Sequence, residues 1–238
     1  LLSSQGLDLL NSHSAVPGLN REDVYSIDVC LPDKPEQQSI SASLDSVCSS
    51  VQAETRVAEI LSELKQAAMR ELFTRGLKGE VQKETEIGPI PETWELSIIG
   101  DFARVGNGST PKKSNIQYWK GGSFPWLSSA KVYERNIVSE TALVTELALK
   151  ECHLPIVDPG TILVAITGQG KTLGHVGLLK RRSTINQHLA YMKIDGDCCA
   201  PEFLRYYLET QYSYFRQVAS GGGSTKGALT CGFLKTLK

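Results

Sequence analysis

Residues 36–73 constrain the fold more than any other part of the chain, because this long stretch contains neither glycine nor proline. Prolines precede it and glycines follow it, in the order found at the two ends of a helix. The spacing of its apolar residues predicts a single helix of roughly 57 Å. Nine of these residues form one stripe with a spacing of three or four: Ile40, Leu44, Val47, Val51, Ala58, Leu61, Leu64, Ala68 and Leu72.

A helix of this length with a narrow apolar stripe is typical of a coiled coil, since a single compact domain seldom covers so long a helix. We therefore predict that the stripe is a helix-pairing interface. The alternative is that the stripe packs against the globular domain of the same chain.

After Ile87 the sequence changes character, because turn-forming Gly, Pro and Asn residues separate short apolar runs. Residues 161–166 and 176–179 predict strands. Residues 201–218 predict one amphipathic helix with Pro201 in its first turn. The expected fold is α/β, a mixed α+β domain, joined to a long coiled-coil-forming helix.

Charge is distributed unevenly along a chain whose formal net charge is only −1. The first part, 1–85, is acidic, whereas 86–238 has more Lys and Arg than Asp and Glu. A mildly basic globular part is compatible with a DNA reader that uses a few placed contacts. No apolar run approaches the ~20 residues of a membrane span. The six cysteines form no CxxC pair, so we expect reduced thiols, no metal and a cytoplasmic location.

The segment from Gly168 to Thr172 resembles a phosphate-binding loop, but such a loop must open a helix. The residues that follow, 173–178, include two glycines and alternate like a strand. We therefore predict a hairpin tip that displays Gln169, Lys171 and Thr172, which suits contact with DNA better than nucleotide hydrolysis. The sequence holds no other catalytic pattern, and an enzyme such as an NTPase is the least favoured alternative.

Several motifs, in this order, resemble the specificity subunit of type I restriction-modification enzymes. A weak similarity between residues 1–29 and 208–238 agrees with the two recognition domains of that family. The resemblance covers nearly the whole chain and rests on these motifs: Leu31-Pro32-x-x-Pro35-Glu36-Gln37, Phe73-x-x-Gly76-x-x-Gly79, Ile87-Gly88-x-Ile90-Pro91-x-x-Trp94, Gly108-Ser109-Thr110-Pro111, Tyr118-Trp119 with Pro125-Trp126, Asp158-Pro159-Gly160-Thr161-Ile162-Leu163 and Thr184-Ile185-Asn186-Gln187.

The resemblance implies three segments. Residues 1–35 would be the C-terminal tail of a first target-recognition domain. Residues 36–80 would be the conserved spacer helix. Residues 81–238 would be a second target-recognition domain, truncated at its C-terminal end.

It also implies a division of labour. The chain would read part of a split site on double-stranded DNA without catalysing a reaction. DNA adenine methyltransferase subunits and a restriction motor subunit would be its partners, with S-adenosylmethionine and ATP bound only to them, so the chain itself needs no cofactor. Since one spacer helix is present where the family has two, a further hypothesis is an antiparallel homodimer through the long helix. The rival interpretation is a coiled-coil protein-interaction module without DNA specificity.

Candidate DNA contacts are polar or basic residues in the predicted loops. Lys112, Lys113 and Lys171 are the strongest, whereas Arg181 and Arg182 suit contact with phosphates. We expect the three tryptophans to be core residues or loop anchors, and Asn186-Gln187 to make either a structural hydrogen bond or a contact with an adenine edge. The full set is Ser109, Thr110, Lys112, Lys113, Lys131, Gln169, Lys171, Thr172, Arg181, Arg182 and Lys226.

Overall fold

The fold comes from a computed structural model that describes residues 21, 25, 28, 30–168, 170–221 and 227–238. The chain divides into two compact units, Leu1–Leu61 and Ser62–Lys238. Most of the predicted N-terminal tail, together with Gln169 and Lys226, lies outside the described residues.

The long helix α1 spans Lys34–Arg75, 42 residues, which confirms the predicted element and extends it by two residues at each end. At its start, the carboxylate of Asp33 accepts a hydrogen bond from the backbone N–H of Glu36 at 2.9 Å, as a helix N-cap does. At its end, Gly76 adopts a φ of +64°, the left-handed conformation that terminates many helices.

The apolar stripe of α1 is uncovered. None of the 42 helical residues, all of which the structure describes, is buried. Exposed fractions of the large stripe side chains run from 44% at Leu72 to 62% at Leu64. The role of the stripe in helix pairing stays a prediction.

After α1 the chain forms a hairpin of β1 (Gln82–Thr85) and β2 (Gly88–Pro91), then the short helix α2 (Ile99–Phe102). Four strands and a helix then come from the first half of the domain: β3 (Ala103–Asn107), β4 (Phe124–Leu127), β5 (Asn136–Ile137), β6 (Ala142–Val144) and α3 (Glu146–Glu151), with 3-10 helices at Ile116–Tyr118 and Ser129–Glu134. The second half gives β7 (Ile162–Ala165), β8 (Val176–Leu179), β9 (Thr184–Ile185), β10 (Leu189–Ile194), α4 (Pro201–Thr210), α5 (Tyr212–Gly221) and α6 (Cys231–Lys235).

Besides the two-stranded sheet of β1 and β2, the strands build two larger sheets. The larger has the order β3-β10-β7-β8-β5, antiparallel except for the parallel pair β5–β8. The smaller has the order β6-β4-β9. Mixed helix and sheet with one long helix is the fold class that the sequence predicts, and β7 and β8 confirm the strands expected there.

The larger sheet packs against other elements on both faces. Successive side chains of its strands point to opposite sides, so each strand contributes residues to both packing layers. On one face, Ile162 and Val164 pack with the helices in a cluster that includes Leu204, Leu208 and Phe215. On the other face, strand residues pack with the segments around β4 and β9; the cluster contains Leu127, Val132, Leu163, Ala165 and Ile185.

One prediction about the helices is wrong. The single helix expected over residues 201–218 is two helices, with Gln211 as the C-cap of α4. Leu208 and Phe215 are both fully buried in the same core, so the apolar periodicity continues across the break and hides it. Pro201 does lie in the first turn of α4.

None of the helices formed by the described residues combines the length and the apolar character that a membrane span requires.

Candidate nucleic-acid interface

Three loops emerge together at one end of the larger sheet. The strand register places Asn107 at the end of β3 opposite Ala190 near the start of β10. It also places Ala165 at the end of β7 opposite Leu189, which begins β10. The loops that follow β3 and β7 and the turn that precedes β10 are therefore neighbours, although they are distant in sequence.

Side-chain hydrogen bonds join these loops into one surface. The hydroxyl of Thr110 donates to the side-chain oxygen of Gln187. Gln187 lies 3.2 Å from the His188 ring, and that ring bonds in turn to the hydroxyl of Thr167. We call this surface the polar edge and define it by the exposed or partly exposed residues Ser109, Thr110, Lys112, Lys113, Thr167, Lys171, Thr172, Gln187 and His188.

The first loop of the polar edge is the loop that follows β3. Two tryptophans anchor it through hydrogen bonds to its backbone carbonyls. The indole N–H of Trp126, a buried residue, donates to the carbonyl of Ser109 at 3.2 Å. The indole of Trp119 donates to the carbonyl of Lys112 at 3.3 Å. The two rings pack edge to face with centroids 5.4 Å apart. The prediction that these tryptophans anchor a loop is confirmed.

Gly108 lets the same loop pass close to the turn before β10. A Cβ at this position would lie 1.9 Å from the carbonyl oxygen of Ile185. The backbone N–H of Ser109 donates to that same oxygen at 3.1 Å. A residue without a side chain is therefore required where the two segments meet.

The second loop is the tip between β7 and β8, which pair antiparallel. This confirms the predicted hairpin. The described residues after Gly170 form a turn and then β8, so this loop does not open a helix, as a phosphate-binding loop must.

Helix α5 fixes this second loop through its backbone. The phenol of Tyr212 donates to the carbonyl of Lys171 at 2.9 Å. The guanidinium of Arg216 donates to the carbonyl of Gly170, also at 2.9 Å. The main chain at Lys171 is thereby held in place while its side chain stays exposed.

His175 closes the base of the loop. Its ring lies 4.7 Å from the rings of both Tyr133 and Tyr212, measured between centroids. Burial lowers the pKa of His175 below that of a free imidazole, so its neutral form is favoured. The positive charge near the base of the loop therefore comes from Arg135 and Arg216 and not from His175.

The lysines predicted as the strongest DNA contacts all belong to the polar edge. Lys112, Lys113 and Lys171 are exposed, and no carboxylate of the described residues pairs with any of them within 4 Å. Three cations without a carboxylate partner leave this surface positively charged, as a surface that contacts phosphates should be.

Other sequence candidates lie elsewhere. Arg181 and Arg182 follow β8 and so leave the sheet at its opposite end. They pair with Glu140 at 2.6 Å and with Asp158 at 3.4 Å, respectively. Lys131 pairs with Glu134 at 2.6 Å. The structure does not bring Arg181 and Arg182 to the polar edge, whereas Lys131 lies in the 3-10 helix whose Tyr133 bonds to Thr172 of that edge. Contact with DNA stays a prediction for all three.

The polar edge contains residues that sequence reasoning missed. Asn186 is buried, and its side-chain oxygen accepts from the backbone N–H of His188 at 3.1 Å, which is the structural role anticipated as one alternative. That bond turns Gln187 and His188 outward. His188 and Thr167 carry no signal in the sequence, because only the strand register brings them together.

The chemistry of the polar edge suits binding. It offers ammonium groups, hydroxyls, an amide and an imidazole, which together can donate to phosphates and read base edges. Among the described residues, no group of three or more His, Cys, Asp or Glu could hold a metal ion.

Comparison with known proteins gives the family. The family model for the type I restriction modification DNA specificity domain matches residues 91–238, more than half of the chain. The specificity subunit of the type I restriction enzyme MjaIX from Methanocaldococcus jannaschii is 35% identical over 161 residues, which are 66% of this chain and 36% of that protein.

Solved structures agree in fold. A chain from a study of the complex assembly and conformational transition of the type I R-M system aligns with a TM-score of 0.59 and 20% identity, over 99% of this chain and 55% of that one. The type I restriction-modification S subunit from M. genitalium aligns with a TM-score of 0.58 and 15% identity, over 99% and 58%. This chain thus spans little more than half the length of these proteins, and it belongs to the family of type I restriction-modification DNA specificity subunits.

Proposed function

We propose that this chain recognises a DNA sequence and directs partner subunits to it. The observation that carries the proposal is the polar edge, where Lys112, Lys113 and Lys171 are exposed without carboxylate partners. Phosphate contacts from these cations would position the DNA, and amide, hydroxyl and imidazole groups between them would meet base edges. Family membership supports the same function.

In this proposal the chain is not itself an enzyme. Residues 81–238 form a target-recognition domain, residues 36–80 are the spacer segment that contains helix α1, and residues 1–35 are the tail of a preceding recognition domain. An adenine methyltransferase and a restriction motor bind to the chain and carry out methylation and cleavage. The site they act on is split into two parts, with the spacer fixing the distance between them.

The test is co-purification with an adenine-methylating subunit, followed by mapping of methylated adenines in cells that express both proteins. We expect a new methylated motif, which is lost when Lys112, Lys113 and Lys171 are all replaced by Ala. Lys193, which pairs with Asp158 at 2.8 Å at the other end of the sheet, provides the matched control for loss of a lysine. A methylated motif that survives the triple change would remove the polar edge from the reading surface.

The uncovered stripe of α1 supports a further partner, a second copy of the chain. An antiparallel pair of helices centred on Arg56 would place Ile40 opposite Leu72, Leu44 opposite Ala68 and Val51 opposite Leu61. In this register three pairs of apolar stripe residues face each other across the seam. The same stripe also favours the alternative of an interaction module, which predicts binding of a partner protein but no affinity for DNA.

A further inference from the structure

A polar cavity of 640 Å³ lies beside the second loop of the polar edge, within the unit Ser62–Lys238. Its walls come from the last turns of α1, the 3-10 helix before β5, the start of β8, and the junction of α4 and α5. Tyr133 and Tyr212 line it, and these are the residues whose hydroxyls bond to Thr172 and to the carbonyl of Lys171. Two side chains of the cavity wall are thus hydrogen-bonded to residues of the polar edge.

The cavity carries an excess of positive charge. Lys65, Arg70 and Arg135 line it together with one carboxylate, Glu209. That carboxylate is already engaged, because Lys65 pairs with it at 2.5 Å and the buried Arg205 pairs with it as well. Within the part of the chain that the structure describes, no carboxylate lies within 4 Å of the guanidinium of Arg70 or Arg135.

Arg135 occupies a position that is costly for its residue type. Its φ of +56° and ψ of −53° fall outside the regions that residues with a Cβ prefer. Its carbonyl oxygen accepts a hydrogen bond from the N–H of Leu178 at 2.6 Å, and a glycine would allow the same bond with less strain. What arginine adds is a guanidinium at the wall of the cavity, and strained residues of this kind cluster at binding sites.

We propose that this cavity receives a backbone phosphate of the DNA that the polar edge reads, held by Arg135 and Arg70. The inference rests on the proposed function. Guanidinium groups bind phosphate oxygens in paired hydrogen bonds, and the hydroxyls of Tyr133 and Ser213 supply further donors in the cavity. This contact positions the DNA without reading its sequence, and it makes the C-terminal turns of α1 part of the DNA interface.

The test compares Arg135→Gln and Arg70→Gln with the parent, each in the complex with the methyltransferase. Affinity for a duplex with the methylated motif and for an unrelated duplex is measured at several salt concentrations. We expect each change to weaken binding to both duplexes about tenfold. The slope of log K against log salt should fall by about 0.9 for each lost phosphate contact. Arg104→Gln, at the opposite end of the sheet and paired with Asp195 at 2.8 Å, should leave the slope unchanged.

A second variant separates binding from folding. Arg135→Gly removes the guanidinium and relieves the strained φ, so it should melt at or above the temperature of the parent yet bind DNA as weakly as Arg135→Gln. Parent-like affinity and slope in both Arg135 variants and in Arg70→Gln, in a complex whose DNA binding still depends on Lys171, would overturn the cavity assignment and leave the proposed function standing.

Two other results have distinct meanings. If the arginine changes weaken only the association with the methyltransferase, the cavity accepts an acidic protein surface and the phosphate assignment is wrong. If the parent complex binds no DNA at all, the proposed function fails and this inference fails with it.

Discussion

Gly108 is the residue at which the first loop of the polar edge is most sensitive to a single methyl group. Gly108→Ala would place the new Cβ 1.9 Å from the carbonyl oxygen of Ile185, so one of the two segments must move. We expect a loss of about 1–3 kcal/mol in the free energy of unfolding and weaker DNA binding. Thermal denaturation measures the first and a binding titration the second. Gly170→Ala is the matched control, since a Cβ there meets nothing within 4 Å.

Lys171 offers a direct test of a single contact, because the backbone at this residue is held by Tyr212 and not by the lysine side chain. Lys171→Ala should keep the loop in place and remove only the cation. We expect specific affinity to fall by about 1–3 kcal/mol if the lysine meets a base edge. Lys193→Ala serves as the control. Equal affinities of Lys171→Ala and the parent, measured at one salt concentration in the assembled complex, would rule out this contact.

His175, at the base of the second loop, should make the stability of the fold sensitive to acid. Burial lowers its pKa in the folded state, outweighing the attraction of Glu209, so the unfolded chain binds a proton more readily. The resulting stability is fully present above the ordinary histidine pKa of about 6.5 and is lost as the pH falls below it. The groups that face the ring are Tyr133 and Tyr212, with Arg135 and Arg216 nearby.

The measurement for His175 is the melting temperature at pH 7.5 and at pH 5.5. The parent should lose more stability between these values than His175→Asn, in which the titrating group is absent. The exposed His153 provides a matched change, and His153→Asn should retain the pH dependence of the parent. A parent and a His175→Asn variant with the same pH dependence would contradict the assignment.

At the scale of elements, sequence patterns predict those helices and hairpins whose formation depends on interactions between residues close together in the chain. Helix α1 is found as expected because the absence of glycine and proline and the periodic apolar residues act within a few turns. The β7–β8 hairpin is found because two glycines and an alternating pattern follow the tip. The break between α4 and α5 is not predictable in this way, since both helices bury their apolar faces in one core.

The composition of the polar edge depends on strand order, which no local pattern contains. Arg181 and Lys171 are ten residues apart in the sequence, and β8 lies between them, so they leave the sheet at opposite ends. Thr110 and Gln187 lie far apart in the sequence, and their strands are adjacent. A loop residue's basic character can therefore be read from sequence, whereas its place at the polar edge cannot.

The stripe of α1 supports a prediction at this same scale. Replacing Leu44 and Leu61 by Asp puts carboxylates into the proposed seam, where they would be buried without partners in the dimer. We expect the dimer to dissociate at micromolar concentration, as measured by light scattering or sedimentation. Ser46→Asp, on the same helix but off the stripe, should leave the mass unchanged. A parent that is monomeric at these concentrations would contradict the pairing itself.

For the whole molecule, symmetry links the helix to the DNA target. An antiparallel homodimer carries two identical polar edges related by a two-fold axis, and isologous symmetry requires both to read the same sequence on opposite strands. We therefore expect the methylated motif to be one inverted repeat, whose two identical halves are separated by a spacer of fixed length. Mapping methylated adenines in cells that express this chain with a methyltransferase measures this directly.

The stripe variant serves as the control for that experiment, because Leu44→Asp with Leu61→Asp leaves Lys112, Lys113 and Lys171 unchanged. It should abolish methylation of the inverted repeat while the purified protein keeps the circular dichroism spectrum and the melting behaviour of the recognition domain. A motif with two different halves would contradict the homodimer and require a second, non-identical recognition domain. An inverted repeat that is still methylated by the stripe variant would instead show that two polar edges reach the DNA without pairing through α1.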